Sequence, residues 1–207
     1  MSQSTRHVTV WLGWLAIVLL VPTAVSAKNH LWRFTEIYSN ADGTLQFIEM
    51  QECCGSDVET RMASTSITSN TATYAFPNHL TGPTAFRWLL IATQGFADLP
   101  GAPTPDYIMP DGFFDPEGDT LGYRAFTDQL VLAPGALPTD GVLSLHRDLA
   151  TMTLSVATNS PTNFAGDEGS VTPPPAVSGA TLPWALVALA LALIVASSRL
   201  TWRAGAR

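Results

Sequence analysis

Nine short apolar or threonine-rich runs follow one another between residues 31 and 158, with Gly, Pro, Asn or Asp at most junctions. They read LWRFTEIYS, TLQFIEMQ, MASTSITS, TATYAF, FRWLLIAT, DTLGYRAF, QLVLA, GVLSLHR and MTLSVAT. Runs of five to nine residues broken this often suit strands and leave almost no room for helix, which predicts an all-β sandwich. The first two runs flank Asn40-Ala41-Asp42-Gly43, and the Asp-Gly step tolerates the positive φ of a hairpin turn. With that loop, Tyr38 faces Leu45, Glu36 faces Phe47 and Phe34 faces Glu49. Phe34, Glu36, Tyr38, Leu45, Phe47 and Glu49 then share one face. Phe86 to Thr93 is nearly continuous in apolar residues, as expected of a central strand buried on both sides. Gly95 to Asp119 holds five prolines and reads as one long irregular connection.

The ends set the compartment. Arg6, the apolar run Trp11 to Val21 and the small-residue site ending at Ala27 predict a signal peptide over residues 1–27. Leu182 to Ser198 carries no charge in 17 residues, about 25 Å as helix, and predicts a membrane-spanning or sorting segment. Arg199, Arg203 and Arg207 follow, so the tail 199–207 is expected in the cytoplasm and the region before the helix outside, a type I orientation. Residues 28–166 form the expected domain, and the Pro/Gly-rich stretch 167–181 a tether.

Charge excludes one class of partner. All 17 acidic residues lie between Glu36 and Glu168, against six basic ones in the exported region, a balance of −11. Nucleic acid is a poor partner for a surface that lacks phosphate-neutralising residues. A monomer that meets an extracellular surface, glycan or protein ligand is expected instead.

Three groups of residues could carry chemistry. Glu36 and Glu49 fall diagonally on the predicted hairpin face, near enough for a paired-carboxylate mechanism. Structural carboxylates at the rim of a sandwich are far commoner, so no catalytic residue is assigned. Cys53 and Cys54 are the only cysteines and could pair with each other, pair with another chain or stay reduced. A bond between neighbours closes an eight-membered ring across Cα atoms about 3.8 Å apart, below the usual range. Asp106, Asp111, Asp115, Glu117 and Asp119 crowd the long connection; oxygen ligands with glycine turns suit calcium, although the spacing is not that of an EF-hand. No other cofactor is expected. His30, His79 and His146 make no zinc motif, and there is no nucleophile elbow or phosphate loop.

The ordered set FTEIYSNADGTLQFIEMQE, YAFPNHLTGPTAFRWLLIATQGFAD, LPTDGVLSLHR and TNSPTNFAG resembles the lamin-tail domain, in particular a bacterial exported subgroup without assigned activity. The resemblance covers approximately Leu31 to Gly166. It implies an immunoglobulin-like β-sandwich with a binding or structural role; the adjacent cysteines depart from its pattern. The order tether, ATLPW, apolar segment and arginines partly resembles the tripartite sorting tails of Gram-negative exported proteins. The expected function is thus a non-enzymatic binding or structural sandwich displayed at a bacterial cell envelope. The alternative is an extracellular hydrolase using Glu36 and Glu49 or the acidic loop.

Overall fold

The computed structural model describes residues 28–172. The expected signal peptide, most of the tether, the apolar segment and the tail lie outside the described residues. Among the described residues no helix is long and apolar enough to cross a membrane.

Ten strands form two sheets. They are β1 (Trp32–Ser39), β2 (Gln46–Glu52), β3 (Ser66–Thr68), β4 (Thr73–Ala75), β5 (Trp88–Ala92), β6 (Tyr107–Ile108), β7 (Asp119–Tyr123), β8 (Asp128–Leu132), β9 (Leu143–Arg147) and β10 (Leu154–Thr158). The larger sheet has the order β10-β9-β1-β2-β5-β6 and the smaller β4-β3-β7-β8. Every pairing is antiparallel except β5 with β6. The only α-helix among the described residues is one turn, α1 (Gln94–Ala97), capped where Thr93 Oγ1 accepts from Phe96 N.

The sheets share a core built from Phe34, Ile37, Ile48, Met50, Leu89 and Ile91 on one side and Ile67, Leu121, Tyr123, Leu130 and Leu132 on the other. Asp128 of β8 holds them together: its carboxylate accepts from Phe34 N at 2.8 Å and from both Arg147 guanidinium nitrogens at 2.8 and 3.0 Å.

The first hairpin departs from its predicted register. Asn40 closes against Leu45, each end bonding the other, and the Asp42 carboxylate caps Thr44 N and Thr44 Oγ1. The loop is therefore Ala41–Thr44, one residue later than predicted, and Tyr38 faces Phe47 while Glu36 faces Glu49 directly. A shift of two in pairing leaves each side chain on its face. The second correction is a bulge between Phe34 and Glu36, which turns Phe34 to the shared core and leaves Glu36 and Tyr38 on the opposite, outer face.

That outer face is itself covered. Tyr38, Phe47, Leu90, Ala92, Phe96 and Val171 form a second apolar cluster. Tyr38 and Phe47 stack at 5.2 Å and Phe96 stands edge-on to both. Thus β5 is buried on both sides: Leu89 and Ile91 enter the shared core, Leu90 and Ala92 the second cluster. The long connection after β5 lies on the sandwich, with Phe96, Tyr107, Met109, Phe113 and Phe114 all buried.

Candidate functional site

The outer face of the larger sheet carries its polar groups beside the second cluster. Glu36 and Glu49 oppose each other across β1 and β2, 2% and 4% exposed. A strap running from Asn159 to Val171 lies over them. Asn159 fixes its start, donating to Val142 O and Val171 O and accepting from Val171 N, all at 2.7 Å. Glu36 accepts from Ser144 Oγ at 2.6 Å, Ser160 N at 2.9 Å and Ser160 Oγ at 3.1 Å. Glu49 accepts from Thr35 Oγ1 at 2.7 Å and Thr162 N at 2.8 Å. The bulge places Thr35 where its hydroxyl reaches Glu49.

Burial pushes the Glu49 carboxyl up to about 8, and the facing Glu36 adds to the rise against the lowering effect of the Thr35 and Thr162 donors. Two buried carboxylates at one site resist joint ionisation, so one proton is retained at neutral pH and Glu49 carries it.

The glutamates form the floor of an open hollow of about 410 Å³, with Trp88, His146, Ser155 and Glu168 among its walls. The sequence placed them in a hairpin without a cleft; the hollow corrects that. It arises because β9 and the strap, both far along the chain, close around the hairpin face.

Ser144, His146 and Glu36 invite comparison with a catalytic triad. Ser144 Oγ lies 2.9 Å from His146 Nε2, and Glu36 Oε1 lies 3.7 Å from the same nitrogen. The connectivity is wrong for one. In a triad the carboxylate holds the far ring nitrogen and the serine donates to the near one. Here the single serine proton goes to Glu36, so His146 Nε2 acts as donor toward Ser144 Oγ or Thr158 O. Ser144 is also fully buried.

The acidic connection does not gather into one ligand set. Asp106 accepts from Leu90 N and Phe164 N, and burial raises its pKa. Asp119 accepts from Asn70 N, Asp115 N and Thr120 N. Asp115 caps Glu117 N, while Asp111, Asp115 and Glu117 are exposed. Among the described residues no group of three or more His, Cys, Asp or Glu is placed to hold a metal.

Cys53 and Cys54 are bonded to each other in the loop after β2. The buried Glu52 carboxylate braces this loop, accepting from Cys54 N, Gly55 N and Phe86 N. His146, Arg147 and Asp148 are consecutive at the end of β9 and point to three different partners. His146 faces Glu36, Arg147 reaches Asp128, and Asp148 caps the following turn.

Trp88, Ser144, Ser160, Thr162 and Glu168 were not singled out by the sequence reading. Alternation along β5 puts Trp88 on the face of Leu90 and Glu49, a signal available once β5 pairs with β2. Nothing local announces the strap.

The chain matches no protein-family model, and no curated protein or solved structure is significantly similar to it.

Proposed function

We propose that this is a non-enzymatic binding protein: an exported immunoglobulin-like sandwich, of the lamin-tail kind, held at a bacterial envelope by its C-terminal segment. Its ligand site is the outer-face hollow, and the ligand a hydroxyl-rich stretch of glycan. The observation that carries this reading is the division of labour in the hollow. Glu36 and Glu49 accept five hydrogen bonds from the protein itself, whereas Trp88 is only partly buried and Glu168 exposed at the wall. An indole face stacks on the apolar face of a sugar ring while carboxylates accept its hydroxyls. Screening the full chain on a glycan array tests it: binding is expected, with Trp88→Ala weakening it roughly tenfold. An array without a binder, or equal binding by Trp88→Ala, removes the proposal.

The hydrolase reading draws on one observation, the direct opposition of Glu36 and a proton-bearing Glu49 in a hollow. Its mark is release of sugar from a bound glycan that Glu36→Gln and Glu49→Gln both abolish with the fold intact. Calcium in the acidic connection is a separate proposal, now resting on Asp111, Asp115 and Glu117. Binding to the folded state raises Tm at millimolar calcium, and an unmoved Tm removes it.

A further inference from the structure

One end of the sandwich differs from the rest of the surface in three respects. It is formed by the Cys53–Gly55 loop, the segment Ala85–Arg87, the β7–β8 turn Arg124–Thr127 and the turn Asp148–Thr153. Contacts tie these together. Glu52 bonds both Gly55 N and Phe86 N, and a Cβ on Gly55 would come within 2.9 Å of the Phe86 ring. Arg147, held by Asp128 at the foot of the β7–β8 turn, also reaches Met152 Sδ at 3.3 Å.

First, this end exposes large apolar side chains: Phe126 is 88% exposed, Phe86 57% and Met152 54%. Second, all four non-glycine residues with positive φ among the described residues lie here: Phe86, Arg124, Ala125 and Met152. Each costs roughly 1–2 kcal/mol for an L-residue, so these loops are held in shape against a local preference. Third, the charge is polarised. Every Lys and Arg of residues 28–172 sits toward this end, with Arg87 and Arg124 exposed beside Phe86 and Phe126. Lys28 and Arg61 adjoin through the Lys28–Val58 and Arg61–Lys28 backbone bonds, and Asn29 O accepts from Tyr123 OH. Some acids here are withdrawn: Glu52, Glu59 and Asp128 are buried, while Asp57 and Asp148 stay exposed, as do Asp167 and Glu168 next to the Gly166 that the Arg87 guanidinium approaches. A hollow of about 400 Å³ opens beside them, walled by Arg33, the disulfide and Met152.

We propose that this end docks on an anionic lipid surface. The aromatic tips enter the boundary between headgroups and acyl chains, and the adjacent arginines meet the phosphates. A protein interface gathers its apolar residues at a centre and its charges at a rim. Here aromatic and arginine adjoin in two of the loops, Phe86 with Arg87 and Phe126 with Arg124, as a layered interface requires. An acidic domain that keeps all its cations at one end is oriented as it approaches a negative surface. The proposal is independent of the glycan reading of the outer-face hollow.

The test uses the full chain held in phosphatidylcholine nanodiscs, so that any membrane-seeking terminal segment is already satisfied. Nanodiscs are mixed with dense vesicles of phosphatidylcholine and phosphatidylglycerol in equal parts, or of phosphatidylcholine alone, and sedimented. Co-sedimentation is expected with the anionic vesicles and is lost at high salt. Arg87→Glu with Arg124→Glu should weaken it at least about tenfold, and Phe126→Ser by roughly tenfold, with circular dichroism unchanged. Asp98→Lys, exposed outside this end, should bind at least as well as the parent. Equal sedimentation with both vesicle types, no binding to either, or undiminished binding by the loop variants overturns the proposal.

Discussion

Two buried charge pairs occupy the same sandwich and do opposite things. Asp128 and Arg147 are of opposite sign, bonded twice, and join the small sheet to the large one. Glu36 and Glu49 are of like sign, face each other on the outer surface of the large sheet, and are tolerable only with a retained proton and five donors. Burial is similar in the two. What differs is where compensation comes from: a single long cation in one case, a whole segment of chain in the other. A like-sign pair therefore makes the closing segment part of the fold.

The comparison breaks most visibly at Asp128. Asp128→Ala strips Arg147 of its partner and Phe34 N of its acceptor, at an expected loss of about 3–5 kcal/mol in urea unfolding. A loss under about 1 kcal/mol would show that the two sheets do not depend on this pair.

The glutamate pair is sharpened by pH. Glu49 has a folded-state pKa of about 8 against an ordinary value of 4.5. The folded state thus holds a proton that the unfolded state has released, and stability falls as pH rises. The contribution is whole below about 4.5, declines by at most about 1.4 kcal/mol per pH unit, and is gone above about 8. Glu49→Gln should flatten that decline. Parallel wild-type and variant curves from pH 5 to pH 9 would contradict the assignment of the proton.

Removing one donor probes the strap by itself. Ser160→Ala deletes the hydroxyl bond to Glu36 and keeps the backbone one, for an expected loss of about 1 kcal/mol. Faster hydrogen exchange confined to the strap and the facing part of β1 should accompany it. The disulfide is the control without charge. A bond between neighbours closes the shortest possible loop and restrains the unfolded chain little, so changing both cysteines to Ser should cost about 1 kcal/mol or less.

How much of this was legible depended on distance along the chain. All nine runs carry strands, because side-chain alternation and turn residues are local signals. The hairpin loop moved because Asp42 bonds Thr44 twice, a side-chain preference that competes with the Asp-Gly turn. That error left the faces intact. The bulge at Thr35 did not, and no residue there marks it, since its reason is the demand of two different layers for Phe34 and Glu36. Of the site, the glutamates were visible and their surroundings were not: Ser144, Ser160 and Thr162 reach them only after folding.

The strap also sets an order of events. The donors Ser160 and Thr162 follow their glutamates by 124 and 113 residues. During synthesis the carboxylates emerge long before the residues that bond them. Early hairpins can pair meanwhile, yet the outer layer has no means of closing, and contacts of such long range are formed slowly. A chain interrupted before residue 159 would hold all ten strands and still expose an unclosed face, which a protease or chaperone could read as incomplete. Closure of the strap is in effect the sandwich's own report that its outer layer has assembled.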